Sequence, residues 1–396
     1  MQAICIPILS CIIILISGLL TESIAAQAWQ LRPALSVSET YNSNIFSSTN
    51  EEEDFITGIG ANINTTYTGS NTKLQSNYTA TWNSYANHPE LNVLTHDGSL
   101  NIDMARWFSR YFRDVSITVS EGFSYTPDLG DYYFDAEREG DASLSNYGIR
   151  TGRDDSFRNS ASINMRFPLS RNQDMSLRYS NILTEFSDPD LEDNMTNNLS
   201  ISTYYTARQD TLHVDIGISN STADEVDVNS YFINAGLRHR FSPVTQGEVS
   251  IGGDMIDYEA GNASNVRGGL RLSRTSEFIT YHIGYSRDLN TVSGVKATSP
   301  VVSQTAYINM SVRHTRLLSS NIGATYTINQ SLSGGEVDIK SYNLSAGANY
   351  TIRTWLTGSL SVSHYEQDSE VTVGTTPPPD IERNTIMLQV AASWGA

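Results

Sequence analysis

Residues Leu31–Phe46 read LRPALSVSETYNSNIF. Taken alternately, Leu31, Pro33, Leu35 and Val37 fall on one face, and Arg32, Ala34, Ser36, Ser38 and Thr40 on the other. Side chains of a strand point to its two faces in turn, so this stretch is a strand with one apolar and one polar side. The pattern returns to the end of the chain. It is clear at Phe55, Thr57, Ile59, Ala61 and Ile63; at Val115, Ile117 and Val119; at Leu212, Val214, Ile216 and Ile218; at Ala306, Ile308, Met310 and Val312; and at Leu344, Ala346, Ala348 and Tyr350. The residues between them are Ser, Thr, Asn, Gly, Arg and Asp. Segments of about ten residues, apolar towards lipid and polar towards a lumen, are the mark of a transmembrane β-barrel. After Leu20 no apolar run is long enough for a membrane helix.

The connections give a second, independent sign. Short ones are expected near Gly69–Asn71, Ser109–Arg110, Ser170–Gln173, Arg208–Asp210, Ser242–Thr245, Thr275–Ser276, Leu317–Ser319 and Arg353–Thr354. Longer ones are expected near Asn42–Asp54, Asn87–Val93, Pro127–Asp155, Ser187–Asp193, Ser219–Asp227, Gly261–Asn265, Asp288–Val302, Ser331–Asp338 and Gln367–Ile381. Strict alternation of short and long connections predicts an all-β fold: a transmembrane antiparallel β-barrel of about 18 strands, with long extracellular loops and short periplasmic turns. Both termini then fall on the short-turn side, and a barrel of this size leaves an aqueous channel. Charged residues make up 17% of the chain, low against the roughly 25% of soluble domains. Trp29, Trp82, Trp107, Phe112, Tyr125, Phe167, Phe241, Tyr285, Trp355 and Trp394 cluster near strand ends, where amphipathic rings suit the membrane interfaces.

The first residues read as a secretory signal peptide, 1–28, ahead of a barrel over 29–396. Ile4–Leu20 is continuously apolar and runs into the small residues SIAAQA. Cleavage is expected after Ala28, with Ala25 the alternative. Cys5 and Cys11 both lie inside this segment, so the mature chain holds no cysteine. The expected address is the cell outer membrane. The last strand, NTIMLQVAASWGA, places Ile386, Leu388, Val390, Ala392 and Trp394 outward, two residues short of the C-terminal Ala396.

The net charge of −18 is unevenly placed. Carboxylates concentrate in the longer connections: Glu51–Asp54, then Asp128, Asp131, Asp135, Glu137, Glu139 and Asp141, then Asp188, Asp190, Glu192 and Asp193, then Asp224, Glu225 and Asp227. The strands carry arginine; the chain has only three lysines, Lys73, Lys296 and Lys340. Arg166, Arg178, Arg238, Arg240, Arg267, Arg271 and Arg313 share the polar parity of their strands. Two readings stand. They brace the wall against carboxylates such as Asp97, Asp103, Asp215, Glu248 and Asp254, or they form a basic track for an anionic solute, since guanidinium forks match carboxylate and phosphate. The acidic exterior speaks against nucleic acid as a partner.

Catalytic patterns are absent: no G-x-S-x-G, no H-E-x-x-H, no P-loop and no paired cysteines, so no enzymatic activity and no cofactor is expected. The seven histidines lack ligand spacing, so no metal centre is expected. The many N-x-S/T tripeptides follow from a lumen face rich in Asn, Ser and Thr.

The opening stretch resembles the start of a family of predicted outer-membrane β-barrel porins found with exopolysaccharide and exosortase (PEP-CTERM) gene clusters. Its members have a Pro-containing first strand followed by an E-T-Y-x-x-N-I hairpin entry, which here is Pro33, Glu39, Thr40, Tyr41, Asn44 and Ile45. Where the family usually has Asp before its Asn, this chain has Ser43. The resemblance implies an outer-membrane channel linked to exopolysaccharide assembly or export, and supplies no catalytic residue. A general diffusion porin and a structural, surface-interaction barrel are the alternatives. The expected partners are the outer membrane with its lipopolysaccharide, the barrel-insertion machinery, and exopolysaccharide or its export proteins.

Overall fold

The computed structural model describes residues 28–69, 72–104, 115–127, 153–188, 191, 193–223, 226–258, 261–290, 300–332, 337–371 and 380–394. The signal segment with Cys5 and Cys11, the acidic cluster from Asp128 to Asp141, Trp107, Phe112 and Lys296 lie outside the described residues.

The strands are β1 (Ala28–Asn42), β2 (Asp54–Thr68), β3 (Lys73–Tyr85), β4 (Val93–Asp103), β5 (Ser116–Thr126) and β6 (Ser156–Pro168). Then come β7 (Gln173–Phe186), β8 (Asn194–Ala207), β9 (Asp210–Ala223), β10 (Val226–Ser242), β11 (Thr245–Tyr258) and β12 (Gly261–Thr275). The last six are β13 (Ile279–Asn290), β14 (Val301–Arg313), β15 (Leu318–Ser331), β16 (Val337–Arg353), β17 (Leu356–Val371) and β18 (Ile381–Ser393). Each pairs with the next, and β18 returns to β1 with Tyr41 opposite Ile386 and Leu35 opposite Ala392. The result is a closed 18-stranded antiparallel barrel. Closure removes the free sheet edges that hydrocarbon could not solvate.

Pro33 marks where that closure ends. Its carbonyl accepts the Trp394 N–H at 2.9 Å, and β18 stops one residue earlier. A proline has no N–H for the ladder, so it fits where the neighbouring strand runs out. Ala28 and Trp394, the first and last described residues, therefore sit at the rim that carries the turn between Thr68 and Lys73.

The period-two pattern sorts the wall. Leu35, Val37, Ile59, Ile201, Ile216, Ile233, Ile251, Leu270, Ile322, Leu344, Leu360 and Leu388 point outward and are exposed. Their rows cross strands directly: Ile216 lies between Ile201 and Ile233. A band of exposed apolar side chains this continuous has no water-soluble explanation. At the short-turn end of β2 to β5 the same outward parity is instead buried, as the cluster Tyr67, Leu74, Ile102, Met104, Val115 and Ile117. Rings mark both rims, with Trp29 against Tyr67 at 4.7 Å and Tyr41 against Phe55 at 5.4 Å.

Three expectations about connections need correction. Of the loops expected near Ser219–Asp227 and Gly261–Asn265, the described residues Ser219–Ala223, Val226, Asp227 and Gly261–Asn265 are strand. Strands β9 and β10 stay paired as far as Ala223 opposite Val226, and β11 and β12 as far as Tyr258 opposite Gly261. Turn-forming residues there are carried by pairing instead; Asn220, for example, donates to Asn229 at 3.0 Å across the ladder. A span needs only about 9–11 tilted residues, so these strands project past it as hairpin arms. Gly261, at φ 139°, permits the tight return; that backbone region is open to glycine. Asp288, expected to open a loop, belongs to β13. The short turn expected near Ser109–Arg110 lies outside the described residues.

Candidate functional site

The inner wall is the candidate site, built by the other half of every alternation. Around β1 to β4 and β14 to β17 it is mainly hydroxyl and amide, with Arg32, Lys73, Asp97 and Asp103 the charged inward positions of β1, β3 and β4. Asn62 donates to Asn77 at 3.2 Å, Asn77 to Asn64 at 2.8 Å, and Asn64 back to Asn62 at 2.8 Å, a ring of amides on β2 and β3. Such side chains exchange hydrogen bonds with passing water and polar solutes without a fixed charge.

The charged strip lies on β6 to β14. Arg166, Arg178, Arg238, Arg240, Arg267, Arg271 and Arg313 all occupy inward positions. They do not form one track. Arg238, Arg240, Arg267 and Arg271 gather on β10 and β12, Arg166 and Arg178 on β6 and β7, and Arg313 stands apart at the end of β14.

Most of the strip is paired. Arg238 Nε donates to Glu248 Oε2 at 2.9 Å. Register sets this contact, because Arg238, Glu248 and Arg271 lie directly opposite one another on three successive strands. Arg267 bridges Asp254 at 3.3 Å and Asp288 at 3.1 Å. Its guanidinium stands 4.4 Å from the centre of the Phe232 ring. Arg166 meets Asp174 at 2.5 Å. Asp215 faces Asn234 and the buried ring of His213, at 3.6 Å from Nε2, rather than an arginine. Its strand register places it opposite Asn234, away from Arg238. Among the described residues no side-chain partner is found for Arg240 or Arg313, which are exposed near the short-turn rim.

Sequence reasoning missed His213 and Asp288. His213 Nε2 also lies 3.8 Å from Glu248, so it joins the Arg238 cluster. Asp288 was legible in principle, since Ile279, Tyr281, Ile283, Tyr285 and Leu289 alternate up to and past it.

The inward rings are held against the wall. Phe232 lies over Gly217, His213 over Gly236 and Tyr307 over Gly284. A Cβ at Gly284 would come within 2.6 Å of the Tyr307 ring. Glycine thus lets each ring lie along the sheet instead of projecting into the lumen. Among the described residues, no group of His, Cys, Asp and Glu is placed to hold a metal ion.

No family model and no curated protein matches this chain. Solved structures of similar architecture do. OccK2 (OpdF) of Pseudomonas aeruginosa aligns at TM-score 0.46 and 9% identity, covering 92% of this chain and 98% of that one. OpdK of the same organism aligns at TM-score 0.46 and 10% identity, covering 92% and 99%. The FrpB iron transporter of Neisseria meningitidis aligns at TM-score 0.46 and 9% identity, covering 92% and 81%. At these identities and scores the likeness carries nothing about solute or residue.

Proposed function

We propose that the chain is an outer-membrane channel for polar solutes, associated with exopolysaccharide assembly or export, and that residues 1–28 are its signal peptide. The observation that carries the channel reading is the sorted wall. An apolar outer band and a hydroxyl, amide and guanidinium lining around 18 closed strands suit a water-filled passage through lipid. The link to exopolysaccharide rests on the opening stretch alone, from Pro33 to Ile45. In this reading the acidic long-rim segments face lipopolysaccharide, the channel is not an enzyme, and it uses no cofactor.

Single-channel recording with added sugar polymers tests it. An exopolysaccharide channel is blocked by anionic or neutral polysaccharide fragments at concentrations that leave it open to matched simple sugars. Block that follows size alone marks a general diffusion porin, and absence of conductance marks a structural barrel.

A further inference from the structure

The connections at the long rim are bonded to one another. Ser43 N–H donates to the Asn384 carbonyl at 3.0 Å, and Asn44 Nδ2 to the Glu382 carbonyl at 3.0 Å, fastening connection 43–53 to β18. Arg153 donates to the Tyr85 hydroxyl at 2.8 Å and the Leu91 carbonyl at 3.3 Å. The Asp154 carboxylate accepts the backbone N–H of Ser187 at 2.9 Å and Asp188 at 3.2 Å. Between the first and second of these ties sits His88.

His88 lies between two carboxylates, Glu52 of connection 43–53 and Asp54 at the start of β2. Its Nδ1 is 3.0 Å from Asp54 Oδ2 and its Nε2 is 3.2 Å from Glu52 Oε2. The Asp54 side chain is fully buried, whereas Glu52 is half exposed. Asp54 is also fixed as an acceptor by the backbone N–H of Phe55 at 2.7 Å, Asn87 at 3.0 Å and His88 at 3.1 Å.

We propose that His88 is a pH-sensitive clasp: as imidazolium it holds the Glu51–Glu53 segment to the turn at 86–92, and as neutral imidazole it lets Glu52 go. The reason is a donor count. Imidazolium carries two N–H donors and neutral imidazole only one. The buried Asp54 claims that one, which leaves the Nε2 lone pair aimed at Glu52 Oε2, acceptor against acceptor. The groups facing His88 are Asp54 from the start of β2, Glu52 and the edge-on Phe46 ring at 5.6 Å from connection 43–53, and Glu90 from its own turn. The hydrogen bond to Asp54, with Glu52 adding, raises the His88 pKa above 6.5, against the opposing effect of burial. The clasp is therefore closed below that ordinary value and lost as pH rises through the raised one. Glu53, held separately by the Tyr41 hydroxyl at 2.6 Å, limits how far the segment can travel. This inference does not depend on what the barrel conducts.

The cysteine-free barrel makes the test direct. A spin label at Asn50→Cys is read by electron paramagnetic resonance on the folded barrel in lipid across about pH 5 to 8. The clasp predicts an immobile label at low pH and a mobile one at high pH. In Glu52→Gln the amide can donate to neutral imidazole or accept from the charged form, so the label stays immobile throughout. In His88→Gln its mobility no longer depends on pH. A parent spectrum that does not change over this range, or a transition that survives either substitution, overturns the proposal.

Discussion

Arg267 reaches two carboxylates at once, Asp254 on one neighbouring strand and Asp288 on the other, while Arg238 reaches Glu248 alone. The two contacts differ in how much water they see. Asp254 is 2% exposed in its side chain and Arg267 22%, against 25% for Glu248 and 42% for Arg238. Removing Arg267 leaves a buried carboxylate uncompensated, which costs about 3–5 kcal/mol. Removing Arg238 breaks a solvated pair, which costs about 1 kcal/mol or less. Arg267→Gln should lower the urea midpoint of the folded barrel far more than Arg238→Gln. Equal effects would show that burial does not rank these pairs.

Selectivity should follow the unpaired arginines rather than the paired ones. Salt screens charges beyond about 8 Å at physiological strength, so carboxylates at the long rim do little to a cation near the short-turn rim. Arg240→Gln with Arg313→Gln should reduce anion preference in a salt-gradient reversal potential, and Arg238→Gln should leave it nearly unchanged. A cation-selective pore insensitive to both changes would leave the arginines as bracing alone.

The outer band can be tested at Ile216, which is 56% exposed between Ile201 and Ile233. Arginine at mid-membrane on the lipid face costs about 2–4 kcal/mol. Ile216→Arg should therefore destabilise the barrel by that amount. Ser202→Arg, inward and opposite Asp215, should be tolerated. The reverse order would mean that inside and outside are exchanged.

Gly284 is the place to narrow the passage. Gly284→Val leaves no room for the Tyr307 ring over it, so the ring must swing into the lumen. Unit conductance should fall while the barrel still folds and inserts. Unchanged conductance would mean that this ring does not border the conducting path.

The architecture was legible because a period of two survives in every strand. Leu31 to Thr40 already sorts outside from inside, and the spacing of such segments yields the strand number. Connections were harder. Asn220, Ser221 and Thr222 have loop chemistry, yet the ladder with β10 carries them. Asp288 was misplaced for the same reason: its neighbours favour turns, but its strand continues. The partners within the lumen were least legible. That Arg238 meets Glu248 and not Asp215 depends on cross-strand register, which no local pattern specifies. The His88 clasp joins residues from two connections, and only the folded rim brings them together.

Planar-bilayer recording of the refolded barrel, 29–396, shows whether a water-filled passage crosses the membrane. A water-filled passage gives discrete, ohmic conductance steps that dissolved sugar polymers reduce once they are small enough to enter. A barrel that inserts, as judged by heat-modifiable migration on gels, yet passes no current at any voltage would contradict it.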